Sequence, residues 1–277
     1  MALFLAVDGG GTGCRAALAD AQGRILGQGA AGPANISVQT ESACANILTA
    51  ARAAIAAAGQ GHLDDLDALL GLAGANVTAS ARKLQAMLPF RRTRIVTDVV
   101  TATAGALGDG EGIVAAMGTG SVFAVQSGGQ FRQYGGRGFL LGDEGGGAVL
   151  GRALLSEALR AEDGFAPMTP LLQGVLTELG GVEGVISFGL HAPPAEFGSF
   201  APRIVAGDDP AAARIFGAAV AQVGGMIDTL QQGRDLPVIF LGGLGPHYAQ
   251  RLAGRWQMRA PLGSGLDGAL FLARRGA

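Results

Sequence analysis

A glycine-rich turn between two apolar runs occurs twice in this chain and constrains its fold more than any other feature. The first turn, residues 8–12, reads Asp-Gly-Gly-Gly-Thr and separates the apolar runs 3–7 and 14–18. The second, residues 118–121, reads Gly-Thr-Gly-Ser and is flanked in the same way. Short apolar runs around such turns predict β-hairpins. The two hairpins are about 108 residues apart, too long for a solenoid period, so they predict two similar halves.

The rest of the sequence alternates between helical and strand patterns, which predicts a mixed α/β fold. Predicted helices cover residues 41–58, 78–88, 99–107, 147–161, 168–179, 193–206, 209–232, 246–253 and 264–275. Predicted strands outside the hairpins cover residues 68–73, 94–97, 131–134 and 236–241. Glycines and acids at 108–112 interrupt the apolar pattern. We therefore expect domains at 1–108 and 109–277, with the last helix packing back on the first domain.

The charge balance argues against a nucleic-acid partner. The chain of 277 residues has 20 basic and 22 acidic residues, and its densest basic cluster is Arg91, Arg92 and Arg94. A nucleic-acid-binding surface needs a larger excess of basic residues. The single lysine, Lys83, lacks the glycines of a phosphate-binding P-loop.

Cysteine usage and the N-terminal residues predict a cytoplasmic protein. Cys14 and Cys44 lie too far apart in sequence for a CxxC unit, so a reduced, buried pair is expected. None of the three histidines has a histidine partner four residues on, which argues against a zinc site. The apolar start lacks a basic leader and reaches Asp8 at once, and no uncharged stretch has the composition of a membrane span.

Both glycine turns have the composition of anion-binding sites. Without Cβ atoms, successive backbone N–H groups can converge on a phosphate, and a hydroxyl side chain adds a donor. A carboxylate at a strand end, such as Asp8, can hold hydrated Mg²⁺. Either turn alone is more often an ordinary glycine turn. Their repetition, each between apolar strands, favours the functional interpretation.

Six short motifs occur in the order found in N-acetylglucosamine and glucosamine kinases, and the chain resembles that family from residue 3 to about 273. The motifs are residues 8–12, Gly-Pro-Ala-Asn at 32–35, Asp98, residues 118–121, Gly-Asp-Glu-Gly at 142–145, and Gly-Gly at 242–243. These kinases belong to the actin, sugar-kinase and chaperone-ATPase superfamily. The resemblance implies two ribonuclease-H-like domains that flank a cleft, with MgATP bound between the hairpins.

The same resemblance implies roles for individual residues. Asp98 would be the catalytic base and contact the substrate, and Asp8 would organise Mg²⁺ through water. The implied ATP-binding residues are Gly10, Gly11, Thr12, Gly118, Thr119, Gly120, Ser121, Gly242 and Gly243. The implied sugar-binding residues, besides Asp98, are Asn35, Gly138, Asp143 and Glu144.

Several of these residues also have ordinary structural interpretations. A carboxylate at the end of a strand can accept a proton from an attacking hydroxyl, but Asp98 is also a plausible N-cap of the following helix. Asn35 is typical of a turn after proline. Asp143 and Glu144 also fit the first turn of a helix, where the dipole favours acids.

The chain departs from the family pattern at a few positions. Gly13 and Cys14 stand where a lysine and a hydroxyl residue are common, Arg137 stands where a tryptophan is usual, and Gly146 replaces a frequent serine. These changes leave kinase chemistry intact but leave the choice of sugar open.

The sequence therefore predicts an ATP-dependent kinase that phosphorylates glucosamine or N-acetylglucosamine at the 6-hydroxyl. It leaves the oligomeric state open, although apolar helices of the second half could pair in a homodimer. Two alternatives remain. One is an activator ATPase for a 2-hydroxyacyl-CoA dehydratase or benzoyl-CoA reductase, which needs cysteines to hold an iron–sulfur cluster. The other is a sugar-sensing regulator without catalysis, although no DNA-binding extension is visible.

Overall fold

The computed structural model describes residues 3–275, which form two compact units. Among these residues, the first unit contains those up to 111, residues 126–131 and those from 260 onward. The second contains residues 112–125 and 132–259. The domain limits predicted from the sequence include residues 1–2 and 276–277, which lie outside the described part.

A five-stranded sheet in the order β3-β2-β1-β4-β5 forms the centre of the first unit. Its strands are β1 (Leu3–Gly9), β2 (Cys14–Asp20), β3 (Ile25–Ala31), β4 (Asp67–Leu72) and β5 (Arg92–Thr97). Its helices are α1 (Thr40–Ala58), α2 (Thr78–Met87), α3 (Asp98–Leu107) and α11 (Gly265–Arg275). The first glycine turn joins β1 to β2 as an antiparallel hairpin, while β1, β4 and β5 run parallel. The carboxyl ends of those three strands therefore meet at one edge.

Both faces of this sheet are covered, which explains the continuous apolar run of β1. Leu5 and Val7 pack into a core that includes residues of α1. Ala6 points to the opposite face and packs with Ala269 and Leu270 of α11. A strand buried on both faces gains burial from every residue, so its sequence shows no polar alternation.

The second unit contains most of a four-stranded sheet with the corresponding order, β8-β7-β6-β9; residues 126–131, which connect β7 to β8, are grouped with the first unit. The strands are β6 (Gly112–Met117), β7 (Ser121–Ser127), β8 (Gln130–Gly135) and β9 (Val238–Leu241). The helices are α4 (Gly147–Glu162), α5 (Pro170–Leu179), α6 (Gly181–His191), α7 (Pro194–Gly198), α8 (Ala201–Val205), α9 (Pro210–Gln231) and α10 (Gly245–Arg251). The second glycine turn joins β6 to β7, and β6 pairs with β9 in parallel. Each unit thus begins with the same hairpin, as the sequence predicts.

Three elements differ from the sequence-based prediction. The strand β3 was not predicted because Gly27 and Gly29 are typical of turns. Here the glycines allow α1 to approach: a Cβ on Gly29 would lie 2.2 Å from the Ala50 carbonyl oxygen. The helix α6 was missed. The helix predicted over 193–206 is wrong, because Pro202 lacks an amide hydrogen and begins a new helix, α8, instead of continuing α7.

The longest helix, α9, begins as predicted and is long and apolar enough to cross a membrane by length and composition. Half of its apolar window, 50%, is buried inside the second unit, where Phe216 and Val223 belong to the core. Asp209 caps the helix by accepting a hydrogen bond from the Ala211 amide (2.8 Å). Core helices of globular proteins have this composition, since packing buries them on most sides.

Candidate active site

The first glycine turn follows β1 and leaves its backbone open on one side. The Gly10 amide donates to the Gly13 carbonyl (2.9 Å), which closes the turn. No atom lies within 4 Å of the position that a Cβ would occupy on Gly10 or Gly11. Thr12 is exposed at the tip. The turn therefore presents free backbone and one hydroxyl, the arrangement expected of an anion-binding turn.

Asp98 lies beside this turn because of the register of the parallel strands. Gly9 pairs with Leu72, and Leu72 pairs with Thr97, so the ends of β1 and β5 are level at the edge of the sheet. An open pocket of about 390 Å³ is lined by Asp8, Gly9, Gly10, Thr12, Gly13, Cys14, Arg15, Ala30, Ala31 and Asp98. The structure thus brings the predicted base, the predicted magnesium carboxylate and the first turn together in one pocket.

The surroundings of Asp98 favour proton acceptance. Its side chain is accessible from the pocket, yet the protein around it raises the pKa of the carboxyl by desolvation, and the negative charge of Asp8 raises it further. The Val99 amide donates to Asp98 Oδ1 (2.9 Å) and acts in the opposite direction. Asp98 is the first residue of α3 rather than the residue before it, so the interpretation as N-cap is displaced by one position.

Asp8 occupies the end of β1 and has two close neighbours. Arg15, opposite to it on β2, donates from Nη2 to Asp8 Oδ2 (2.8 Å). On the other side, a Cβ on Gly265 would lie 2.8 Å from Asp8 Oδ1, so the start of α11 fits only without a side chain there.

Asn35 is linked to the same turn through its neighbour. The Ala34 amide donates to the Gly10 carbonyl (2.9 Å), which holds the segment against the turn. Asn35 Oδ1 accepts from the Ser37 amide (3.1 Å) and hydroxyl (2.8 Å), as in a turn. Among the hydrogen bonds of residues 3–275, none engages Asn35 Nδ2, which leaves that amide group as a donor. Its two interpretations, turn residue and ligand contact, are therefore compatible.

The second glycine turn, in the second unit, is also closed by a backbone hydrogen bond, but across one residue fewer than the first. The Gly118 amide donates to the Gly120 carbonyl (2.9 Å), while the Gly147 and Ala148 amides donate to the Gly118 (2.8 Å) and Thr119 (2.9 Å) carbonyls. The start of α4 is thus fixed on the turn. Thr119 is exposed, whereas the Ser121 hydroxyl is buried and donates to the Glu144 carbonyl (2.8 Å). Ser121 therefore connects the turn to the Asp-Glu segment.

Asp143 is held against this turn in an uncommon backbone conformation. Its φ is 57°, in the left-handed region, and its Oδ1 accepts from the Gly138 amide (3.1 Å). A Cβ on Gly120 would lie 2.4 Å from Asp143 Oδ2, so that glycine makes room for the carboxylate. Burial raises the pKa of the Asp143 carboxyl, and the charge of half-buried Glu144 adds to the effect. Left-handed non-glycine residues cluster at functional sites.

Gly242 and Gly243 follow β9 and lie next to the second turn. Gly242 has φ 81°, and a Cβ there would lie 2.4 Å from the Met117 carbonyl oxygen. That carbonyl accepts from the Leu244 amide (3.0 Å), so the chain passes directly against the end of β6. Gly243 has no neighbour within 4 Å of its Cβ position. The two glycines thus leave an open backbone beside residues 118–120.

Two residues of this region escaped the sequence reasoning. Arg15 could have been found, because a hairpin closed around residues 10–13 places it opposite Asp8. Tyr248 could not. Its buried hydroxyl donates to the Gly145 carbonyl (2.7 Å) across more than a hundred residues, and it supports the segment that carries Asp143. No local sequence pattern predicts such a contact.

Comparisons with known proteins give one family match and two similar kinases. The sequence profile of the BadF/BadG/BcrA/BcrD ATPase family matches residues 5–251. The chain is 35% identical to a glucosamine kinase of Vibrio cholerae over 211 residues, which are 74% of this chain and 71% of that protein. It is 28% identical to an N-acetylmuramic acid/N-acetylglucosamine kinase of Clostridium acetobutylicum over 170 residues, 59% of this chain and 55% of that protein.

Solved structures show the same architecture. A provisionally named N-acetylglucosamine kinase from Chromobacterium violaceum has a TM-score of 0.90 at 30% identity, and the match covers 99% of each chain. A ROK-family glucokinase from Streptomyces griseus, solved with glucose and AMPPNP, has a TM-score of 0.59 at 19% identity, over 99% of this chain and 100% of that one. The second likeness concerns the fold alone. Together they confirm the predicted α/β class of actin-like ATPases and sugar kinases.

Proposed function

Because the chain belongs to the BadF/BadG/BcrA/BcrD ATPase family, we propose that it is an ATP-dependent kinase that phosphorylates glucosamine or N-acetylglucosamine at the 6-hydroxyl. The relatives named glucosamine kinase and N-acetylmuramic acid/N-acetylglucosamine kinase support a sugar substrate of this class. The likeness to the Chromobacterium violaceum protein over 99% of the chain supports the same assignment.

One observation carries the proposal: Asp98 shares a pocket with Asp8 and the first glycine turn. Phosphoryl transfer needs groups that position the phosphates and a residue that orients the attacking hydroxyl, and it needs little covalent chemistry from the protein. A carboxylate level with an open phosphate-binding turn meets both needs. If Asp98 only capped α3, neither Asp8 nor the glycine turn would need to lie beside it.

In the proposed reaction, the oxygen of the sugar hydroxyl attacks the γ-phosphorus of ATP. A bond forms between that oxygen and phosphorus, and the bond from phosphorus to the bridging β–γ oxygen breaks, so ADP leaves. Asp98 accepts the hydroxyl proton. Its raised pKa brings it closer to the working pH, which makes it a better proton acceptor than an ordinary aspartate.

Each unit would supply its own contacts to the substrates. In the first unit, the Gly11 amide and the Thr12 hydroxyl would bind phosphate beside Gly10, whose own amide closes the turn on the Gly13 carbonyl. Asn35 would donate to a sugar hydroxyl. In the second, residues 118–121 would bind phosphate and residues 242–243 would admit the adenosine. Asp143, positioned by Gly138, and Glu144 would accept hydrogen bonds from sugar hydroxyls, because a carboxylate can serve two neighbouring groups.

The residues present fit magnesium. Among residues 3–275, no group of three or more acidic, histidine or cysteine side chains could hold a metal by themselves. Mg²⁺ does not need such a cage, since it commonly binds one or two carboxylates, waters and substrate phosphates. Asp8 is the carboxylate that would hold it through water. When bound, the ion would neutralise phosphate charge.

A panel of acceptors tests the proposal. ADP release is measured with hexoses, amino sugars and N-acetyl amino sugars, each with and without Mg²⁺. We expect turnover with glucosamine or N-acetylglucosamine, and a product phosphorylated at the 6-position by NMR. Nucleotide binding without phosphorylation of any sugar would overturn the kinase assignment and favour a sensor.

The activator-ATPase alternative finds no support in the cysteines. Cys14 and Cys44 are 1% and 4% exposed, on β2 and α1 of the first unit. Burial, with a smaller contribution from Asp8, raises the pKa of the Cys14 thiol to about 12, which opposes the thiolate that iron requires. An iron analysis of the purified protein checks this point.

A further inference from the structure

Arg15 is a charged residue of the pocket to which the proposed function assigns no role. It stands directly opposite Asp8 in the β1–β2 register and donates to Asp8 Oδ2 over 2.8 Å. Its guanidinium also acts on Asp267 at the start of α11. Hydrogen bonds from Ser264 chiefly hold the pKa of Asp267 below its usual range, and the charge of Arg15 contributes.

The Arg15–Asp8 ion pair is poorly suited to stabilising the fold. The Arg15 side chain is 58% exposed, and pairs of this kind contribute little to stability because water screens them and the long side chain loses freedom. The strand register would hold β2 in place without it. The guanidinium of Arg15 therefore lies in the pocket for a reason other than the stability of the fold.

The other charges of the pocket account for the position of Arg15. Among the residues that line the pocket, Asp8 and Asp98 are acidic and Arg15 is the one base, which leaves one formal negative charge in excess. A triphosphate would be repelled by two carboxylates in the absence of a cation. Asp8 engages only Nη2 of Arg15, so the guanidinium has further donors for a second partner. A planar guanidinium suits phosphate oxygens.

We propose that Arg15 is a further nucleotide-binding residue, which contacts a phosphate group of the nucleotide in the pocket beside Asp8. The inference rests on the proposed function, because it takes the ligand of the first turn to be a nucleotide. It adds a cationic contact from the protein itself, independent of any metal. The hairpin fixes the position of Arg15 on β2. Only the guanidinium has to reach the phosphate, with the N–H groups that Asp8 does not engage.

The test compares Arg15→Gln, Arg15→Lys and a matched control, Arg24→Gln. Arg24 pairs with Asp20 over 3.1 Å and its side chain is 78% exposed. It lies in the turn between β2 and β3 and does not line the pocket. Calorimetry measures binding of a non-hydrolysable ATP analogue, with Mg²⁺ and in EDTA, and of adenosine. Thermal unfolding verifies that each variant is folded.

We expect Arg15→Gln to weaken binding of the analogue at least tenfold both with Mg²⁺ and in EDTA, and to change adenosine binding less than twofold. Arg15→Lys keeps the charge and should lose two- to fivefold; it also serves if Arg15→Gln is unstable. The KM for the sugar should stay constant. Binding equal to that of Arg24→Gln, or a loss confined to the magnesium arm, would overturn the direct phosphate contact.

The outcomes separate this inference from the proposed function. If the unsubstituted protein binds the analogue and phosphorylates the sugar while Arg15→Gln binds equally well, only the role of Arg15 is wrong. If the unsubstituted protein binds no nucleotide under any condition, both proposals are wrong.

Discussion

At the scale of the single residue, Asp98 carries the strongest prediction. Asp98→Asn keeps the shape and the acceptor oxygen but removes the proton-accepting carboxylate. We expect turnover to fall about a thousandfold, the middle of the range that general base catalysis supplies, with affinity for a non-hydrolysable ATP analogue nearly unchanged. Coupled ADP release and calorimetry measure the two quantities. Asp64→Asn, a substitution outside the pocket, is the control, and turnover within threefold of it would remove Asp98 as the base.

The pH dependence of catalysis follows from the same side chain. Desolvation and the charge of Asp8 raise the pKa of Asp98, so the carboxylate becomes protonated at a higher pH than an ordinary aspartate, whose pKa is about 3.9. Because the base must be ionised, kcat/KM should decline as pH falls toward that raised pKa and remain high above it. In buffers of constant ionic strength, the decline should begin at a higher pH than an ordinary aspartate would give. A rate that stays constant down to pH 4 contradicts the assignment.

At the scale of the element, the sequence predicted what local chemistry determines. Both hairpins follow from apolar runs around glycine turns, and α9 follows from Asp209 and Pro210 at its start. The predictions failed where contacts between residues distant in sequence determine the local structure. Gly27 and Gly29 belong to a strand because α1 lies on them. Tyr248 acquires its role from a partner that is distant in sequence, and its own neighbours give little sign of it. Arg15 differs, because the hairpin register alone places it opposite Asp8.

Asp209 joins two elements, which gives a prediction for stability. Its Oδ1 accepts from the Ala211 amide (2.8 Å) at the start of α9, and its Oδ2 accepts from the Leu171 amide (3.0 Å) at the start of α5. Asp209→Ala leaves both amides without this acceptor. We expect a loss of about 1–2 kcal/mol in the free energy of unfolding, typical of a lost cap, and a smaller loss for Asp209→Asn. Urea denaturation measures it. Equal stability of the Ala variant and the unsubstituted protein would show that water replaces the cap.

At the scale of the whole molecule, the four-stranded sheet has the order of the first four strands of the five-stranded sheet, and the repeated hairpin predicted the two strands that it joins in each. The return of the last helix, α11, depends on contacts at its small residues. A Cβ on Gly268 would lie 1.9 Å from the Thr101 carbonyl oxygen. The helices α3 and α11 can therefore approach this closely only because residue 268 has no side chain. The homodimer, the cytoplasmic location and the absence of a nucleic-acid partner stay predictions, and light scattering of the purified protein tests the first.

Nucleotide binding should stabilise the molecule in a way that depends on magnesium. A ligand that binds only the folded state adds about 2.7 kcal/mol when its concentration is a hundred times the dissociation constant. We expect MgATP analogue to raise the Tm by several degrees and EDTA to remove part of that increase, since the phosphates then face Asp8 and Asp98 without the ion. Asp8→Asn should bind the analogue with little difference between the magnesium and EDTA arms, while Asp64→Asn should behave like the unsubstituted protein. If Mg²⁺ increases analogue binding by Asp8→Asn as much as by the unsubstituted protein, the ion binds other oxygens. Asp8 would then serve only as the ion-pair partner of Arg15.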